Sequence, residues 1–159
     1  MKSKLIKLAA LCCMAGAVHA GSEPEPAMSK AAYEAARTQI EAQREADDKT
    51  CKRLERHARE LCGAQAKGRE KAELAKLDAR NAPSPQATQD AKFAVAEANY
   101  DVAKVQCKVR KGKAKGRCMD EAKAAREAAE RQARVEKVDS TGGIFGRDDD
   151  RKPAKARKS

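Results

Sequence analysis

Apolar positions recur at three and four residues along most of the chain, the spacing of amphipathic helices, and strand-like alternation at two is almost absent. Ser29 can cap the first helix, which starts at Lys30. Tyr33, Ala36, Ile40, Leu54 and Leu61 fall near heptad positions, but Gln43, Asp47 and His57 interrupt that seam, so a strict coiled coil is not expected there. Gly63 to Arg80 brings Leu74 and Leu77 onto a narrow apolar stripe. Asn81-Ala82-Pro83-Ser84-Pro85 is the clearest boundary, because the prolines remove donors and bias their preceding residues away from helix. A new helix is predicted from Gln86 to Gln89 onward, with a better seam of Val95, Ala98, Val102, Val105 and Val109. Phe93 and Tyr100 lie on adjacent rows as packing residues. Gly112 and Gly116 each weaken a helix by about 1 kcal/mol relative to Ala, which predicts a reversal around them and a last helix over Met119 to Val138. Ser140-Thr141-Gly142-Gly143 stops it.

Two cysteine pairs, Cys51 with Cys62 and Cys107 with Cys118, share a ten-residue gap inside these helical stretches. In an unbroken helix such cysteines would stand about 16 Å apart, whereas a disulfide needs Cα atoms about 4.4–6.8 Å apart, so the chain must turn back within each pair if it bonds. The rival pairing, Cys51 with Cys118 and Cys62 with Cys107, needs a continuous helix through each pair, and Gly112 and Gly116 disfavour it in the second. A shift of 56 residues superposes the two pairs and also sets Glu41 on Glu97, Lys52 on Lys108, Ala66 on Ala122 and Lys67 on Lys123, as expected of a duplicated helix-turn-helix unit.

Composition thins the expected core. Aromatics are 3% and charged residues 37%, there is no Trp, and Ala supplies about half of the hydrophobic fraction. Ala forms helix readily but buries little area, so long, exposed, thinly packed helices are predicted. Residues 1–20 have a basic start, an apolar run from Leu5 to Val18 that is too short to span a membrane, and Val18-His19-Ala20 before Gly21. That order reads as a secretory signal cut between Ala20 and Gly21. Cys12 and Cys13 follow Leu11 and Cys12 instead of the small residue that lipoprotein signals place before the acylated cysteine. Export makes two disulfides the expected state of the remaining four cysteines. The chain then divides into a signal (1–20), an extended lead (21–28), a first hairpin (29–81), a Pro-containing linker (82–87), a second hairpin (88–138) and a disordered basic tail (139–159). The expected fold is all-α, with two tandem disulfide-stapled hairpins of long, Ala-rich, coiled-coil-like helices.

These features resemble small Ala/Lys-rich exported proteins of Gram-negative bacteria, often labelled TolA-like. The resemblance rests on the signal, the tandem Cys-x10-Cys units and the Pro-containing joint. It implies a helical envelope protein and supplies no catalytic residues. The first unit departs from the Gly-containing turn, since no Gly lies between Cys51 and Cys62.

The formal charge of +11 falls to +8 without Lys2, Lys4 and Lys7, and +3 of that lies from Arg147 to Ser159. The remaining +5 is interleaved with acids along the helices, a pattern that predicts a solvated face with local ion pairs. Polyanion contacts are therefore expected in the tail, at Arg151, Lys152, Lys155, Arg157 and Lys158. The sequence has no Gly-rich phosphate loop and no Ser/His/Asp set, and His57, between Cys51 and Cys62, has no counterpart in the second unit to suggest a metal site. No catalytic residue, metal ligand or cofactor is expected. The expected role is an exported structural or interaction protein, periplasmic or secreted, that binds anionic envelope polymers or partner helices. A basic nucleic-acid-binding protein with a histone-like tail is the alternative, and a helical periplasmic chaperone a further one. Intact-mass measurement of the exported protein should give an N-terminus at Gly21; a lipid-bearing N-terminus at Cys12 or Cys13 would overturn the signal assignment.

Overall fold

The computed structural model describes residues 28–142. The signal and its Ala20–Gly21 cut, nearly all of the extended lead, and the basic residues of the tail lie outside the described residues. Four helices follow one another: α1 (Lys30–Cys51), α2 (Arg56–Asn81), α3 (Pro85–Cys107) and α4 (Gly112–Ser140), and there is no strand among the described residues. Each packs only on its neighbours in sequence, α1 on α2, α2 on α3 and α3 on α4, so the described residues form an open row of antiparallel helices.

Cys51 bonds Cys62 with Cα atoms 5.4 Å apart, and Cys107 bonds Cys118 at 5.7 Å. The local pairing holds, and each cystine ties the last residue of one helix to the second turn of the next. Because α2 runs from the first stapled turn to the proline joint and α3 returns, both stapled turns lie at one end of the row. Ser29 and Ser84 mark the other end, where their hydroxyls accept from the Ala32 and Ala87 amides.

Small residues make the core. Leu77 is fully buried, and Ala66, Ala72, Ala91, Ala96, Ala98, Ala122 and Ala133 are buried along the row. A Cβ added to Gly68 would lie 3.1 Å from the Ala98 Cβ, so α2 and α3 approach closely at that level. Close approach gives each alanine several neighbours but little apolar area, and polar pairs supplement it. Asp47 accepts from Arg69 at 2.8 Å and Glu70 faces Arg44 at 3.4 Å, which is why α1 carries polar residues where a coiled-coil seam would be apolar. The Tyr33 hydroxyl donates to Asp78 at 2.7 Å, and this hydrogen bond raises its pKa above the ordinary 10.0. Between α3 and α4, Arg126 meets Glu97 at 3.2 Å and lies 4.5 Å over the Tyr100 ring, while Arg134 lies 5.5 Å over Phe93. The two aromatics are thus packing residues under guanidinium groups.

Several boundaries differ from the pattern-based expectation. The second reversal occupies Lys108 to Lys111, and α4 begins at Gly112 instead of Met119, with Gly116 inside the helix. Only Gly112 has the positive φ, +51°, that the turn requires, so one glycine serves the reversal and the propensity penalty at Gly116 is absorbed by a long packed helix. Val109 leaves the seam because α3 ends at Cys107, and it is 61% exposed. Leu54 lies in the first turn for the same reason. The linker shrinks to Ala82, Pro83 and Ser84, since Pro85 occupies the first helical position, where a missing N–H does no harm. At the far end α4 extends past Val138 to Ser140, and the Ser140 and Thr141 hydroxyls donate back to the Lys137 carbonyl.

Replacing Cys107 and Cys118 together by Ser should lower the unfolding free energy by roughly 3 kcal/mol, the value for a loop of this length in the chain-entropy model. Urea titration of the oxidised protein and the variant measures it.

Candidate anion-binding site at the stapled turns

The turn after α1 is built from a tightened helix end. The Lys52 amide donates to the Asp48 carbonyl, Arg53 to Thr50 and Leu54 to Cys51, and the Arg59 side chain donates to the Leu54 carbonyl at 2.8 Å. The turn after α3 repeats the design, with Lys108 donating to Val105 and Arg110 to Cys107. Under the 56-residue shift the helix ends coincide, Cys51 with Cys107, and so do the helix starts, Arg56 with Gly112. Those two starts are also the positive-φ residues of the turns, at +34° and +51°. The first turn therefore reverses without glycine by holding an arginine in the left-handed region, at a conformational cost.

Residues 52–59 and 108–117 contain ten basic side chains and one acid, Glu55. They are Lys52, Arg53, Arg56 and Arg59 on the first turn and Lys108, Arg110, Lys111, Lys113, Lys115 and Arg117 on the second, and all are exposed. The rest of the described chain holds sixteen basic and eighteen acidic residues, close to balance. Of the ten, only Lys108 has an ion-pair partner among the described residues, Glu60 of α2, which ties the second turn to the start of α2. The expected even interleaving of charge thus gives way to a positive end. Sequence spacing hides it because the two runs lie 56 residues apart and become neighbours only when α2 and α3 bring the chain up and back.

Backbone reinforces the charge. The amino ends of α2 and α4 point to this end, and neither has a side-chain cap bond, although Glu55 occupies the N-cap position of α2. The amino ends at the opposite end are capped by Ser29 and Ser84. Unfilled N–H groups and the positive helix pole favour an anion at the stapled turns. A groove of about 520 Å³ between α2 and α3 extends the basic surface down the row, lined by Lys67, Lys71, Lys104 and Lys108 with Asp101 opposite. Lys104 donates to Asp101, which raises its pKa, and sits 4.7 Å over the Tyr100 ring.

Elsewhere the chemistry is sparse. A wider groove of about 700 Å³ crosses α3 between α2 and α4, floored by Ala91, Val95 and Ala96 and walled by Glu73, Lys76, Arg80 and the Lys92–Glu136 ion pair. His57 is half-buried in the first turn of α2, and no cluster of three potential metal ligands occurs among the described residues. No helix of the described residues is long and apolar enough to cross a membrane. The two disulfides point to an oxidising, extracytoplasmic compartment. No protein-family model, curated protein or solved structure matches the chain.

Because the first turn strains an arginine, Arg56→Gly should stabilise the protein by about 1 kcal/mol, while Gly112→Ala in the second should destabilise it by a similar amount. Thermal unfolding of the two variants checks both signs.

Proposed function

We propose that the chain is an exported, non-enzymatic helical protein of the cell envelope, periplasmic or secreted, whose stapled turns bind anionic envelope polymers. The observation that carries this reading is the segregation of charge, ten exposed cations at one end of an otherwise balanced row against two acids there, Glu55 and the Glu60 that pairs with Lys108. The cystines fit the role because they keep two short turns ordered while all their side chains stay in solvent, where no core contact could hold them. Contacts of this kind are Coulombic, numerous and individually weak, and they bind a repeating polyanion better than a single small anion. The coincidence of turns, cystines and helix ends supports origin by duplication of one hairpin, which doubled the number of basic turns. The residues Arg151, Lys152, Lys155, Arg157 and Lys158 add a second, tail-borne set of cations.

Matched charge removal tests the assignment. Lys111→Gln, Lys113→Gln and Lys115→Gln together remove three positive charges, and deleting Arg147 to Ser159 removes a net three as well. With lipopolysaccharide or a soluble anionic polysaccharide as probe, the triple variant should lose the larger share of affinity and show a shallower salt dependence. Loss on tail deletion alone, with the triple variant unchanged, would reject the turns as the site. Preferential retention of duplex DNA at matched charge density would favour the nucleic-acid alternative.

A further inference from the structure

The two hairpins match in their buried faces as well as in their turns. On α2 the side facing α1 includes Ala66, Glu70 and Leu77, and their shifted counterparts Ala122, Arg126 and Ala133 make up the side of α4 facing α3. The cross-helix pair Arg44 and Glu70 corresponds to Tyr100 and Arg126, so an ion pair in one hairpin stands where a cation–π contact stands in the other. The same hairpin geometry occurs twice along the row.

The match breaks at the outer faces. On α2, Gly68 and Ala72 are buried by α3, whereas their counterparts on α4, Ala124 and Ala128, are exposed. The α4 stripe, interrupted by the exposed Arg131 where α2 has Ala75, continues to Val135 and Val138, which are 53% and 42% exposed. On α3, Ala91, Ala98 and Val105 are buried, whereas their counterparts on α1, Ala35, Ala42 and Lys49, are exposed. The row therefore ends, at α4, on the face that α3 covers in α2, and begins, at α1, with the face that α3 presents. Helix direction agrees too, since α1 and α3 run one way and α2 and α4 the other.

We infer that α1 of a second copy docks on the outer face of α4 and continues the α2–α3 interface from one molecule to the next. The register follows from Gly68 opposite Ala98, which places Ala124 opposite Ala42 of the second copy, Val135 near its Ala31 and Val138 near its Met28. Alanine meets alanine at the closest point, and because a Cβ at Gly68 would stand only 3.1 Å from the Ala98 Cβ, the two helices sit a few tenths of an ångström further apart than α2 and α3 do. Gln39 and Lys49 replace Val95 and Val105 of the internal interface, so the contact is weaker than its internal counterpart. The association is head-to-tail and does not exhaust its own surfaces, so it extends into rows of copies. Every copy enters with the same orientation, and all basic turns line one edge. Their mutual repulsion opposes growth at low ionic strength and is screened within about 8 Å at physiological salt, which gives the association an unusual sign of salt dependence.

The test uses the full, oxidised exported chain. Sedimentation velocity should show mass increasing with protein concentration and with added salt. Ala124→Arg replaces a solvent-exposed helical residue and should abolish that increase while helicity and both disulfides persist. A photo-crosslinking residue at Glu45, on the edge of the proposed face, should join a second molecule around Arg117 to Ala124. A monomer at every salt and concentration, association untouched by Ala124→Arg, or crosslinks joining α1 to α1 would each overturn the inference. These readouts contain no polyanion, so they stand or fall separately from the proposed binding function.

Discussion

A cystine between residues eleven apart forces the chain to reverse within a fixed, short span, and the rest of this structure follows from meeting that requirement twice. The reversal fixes where α1 and α3 end and where α2 and α4 begin. It also limits the unfolded chain, which matters most where the folded state has little apolar area to offer. Alanine interfaces bring helices close but bury few methylenes, so the covalent closure offsets a deficit that larger side chains would otherwise fill. Ion pairs such as Arg69 with Asp47 set helix register more than they add stability, since the Arg69 end remains open to solvent.

The helices, the proline joint and the local disulfides were legible in the sequence because each has a short-range cause. Ser84 before Pro85 is a helix start written in two residues, and the cysteine spacing dictates a turn whatever the flanking residues. Finer positions were not legible, because they depend on which of several permissive residues the turn uses. Gly112 and Gly116 look equivalent in sequence, yet only Gly112 meets a positive φ. Nothing in the letters marks Arg56 as its partner, since arginine is an unfavoured occupant of that conformation. The shift between the two units was the available signal, as it places Arg56 on Gly112.

The basic end was hidden for a different reason. Each basic run reads locally as one more mixture of Lys and Arg in a charged helix, and a linear count averages it with the acids on either side. Folding gathers the cation-rich segments at the turns, while toward the proline joint Glu34, Asp78, Asp90 and Asp139 stand among Lys30, Lys76, Arg80, Lys92 and Lys137. Serine caps at one end and bare amino termini at the other follow the same division.

That division makes the molecule a long electric dipole. The 26-residue α2 spans about 39 Å, with cations concentrated beyond one end and a slight excess of acid along the remainder. Near a negatively charged surface such a body experiences a torque before it touches anything, and it turns its stapled end forward during approach. The consequence is kinetic. Orientation raises the fraction of collisions that succeed, and it does so most at low ionic strength, where the field reaches furthest.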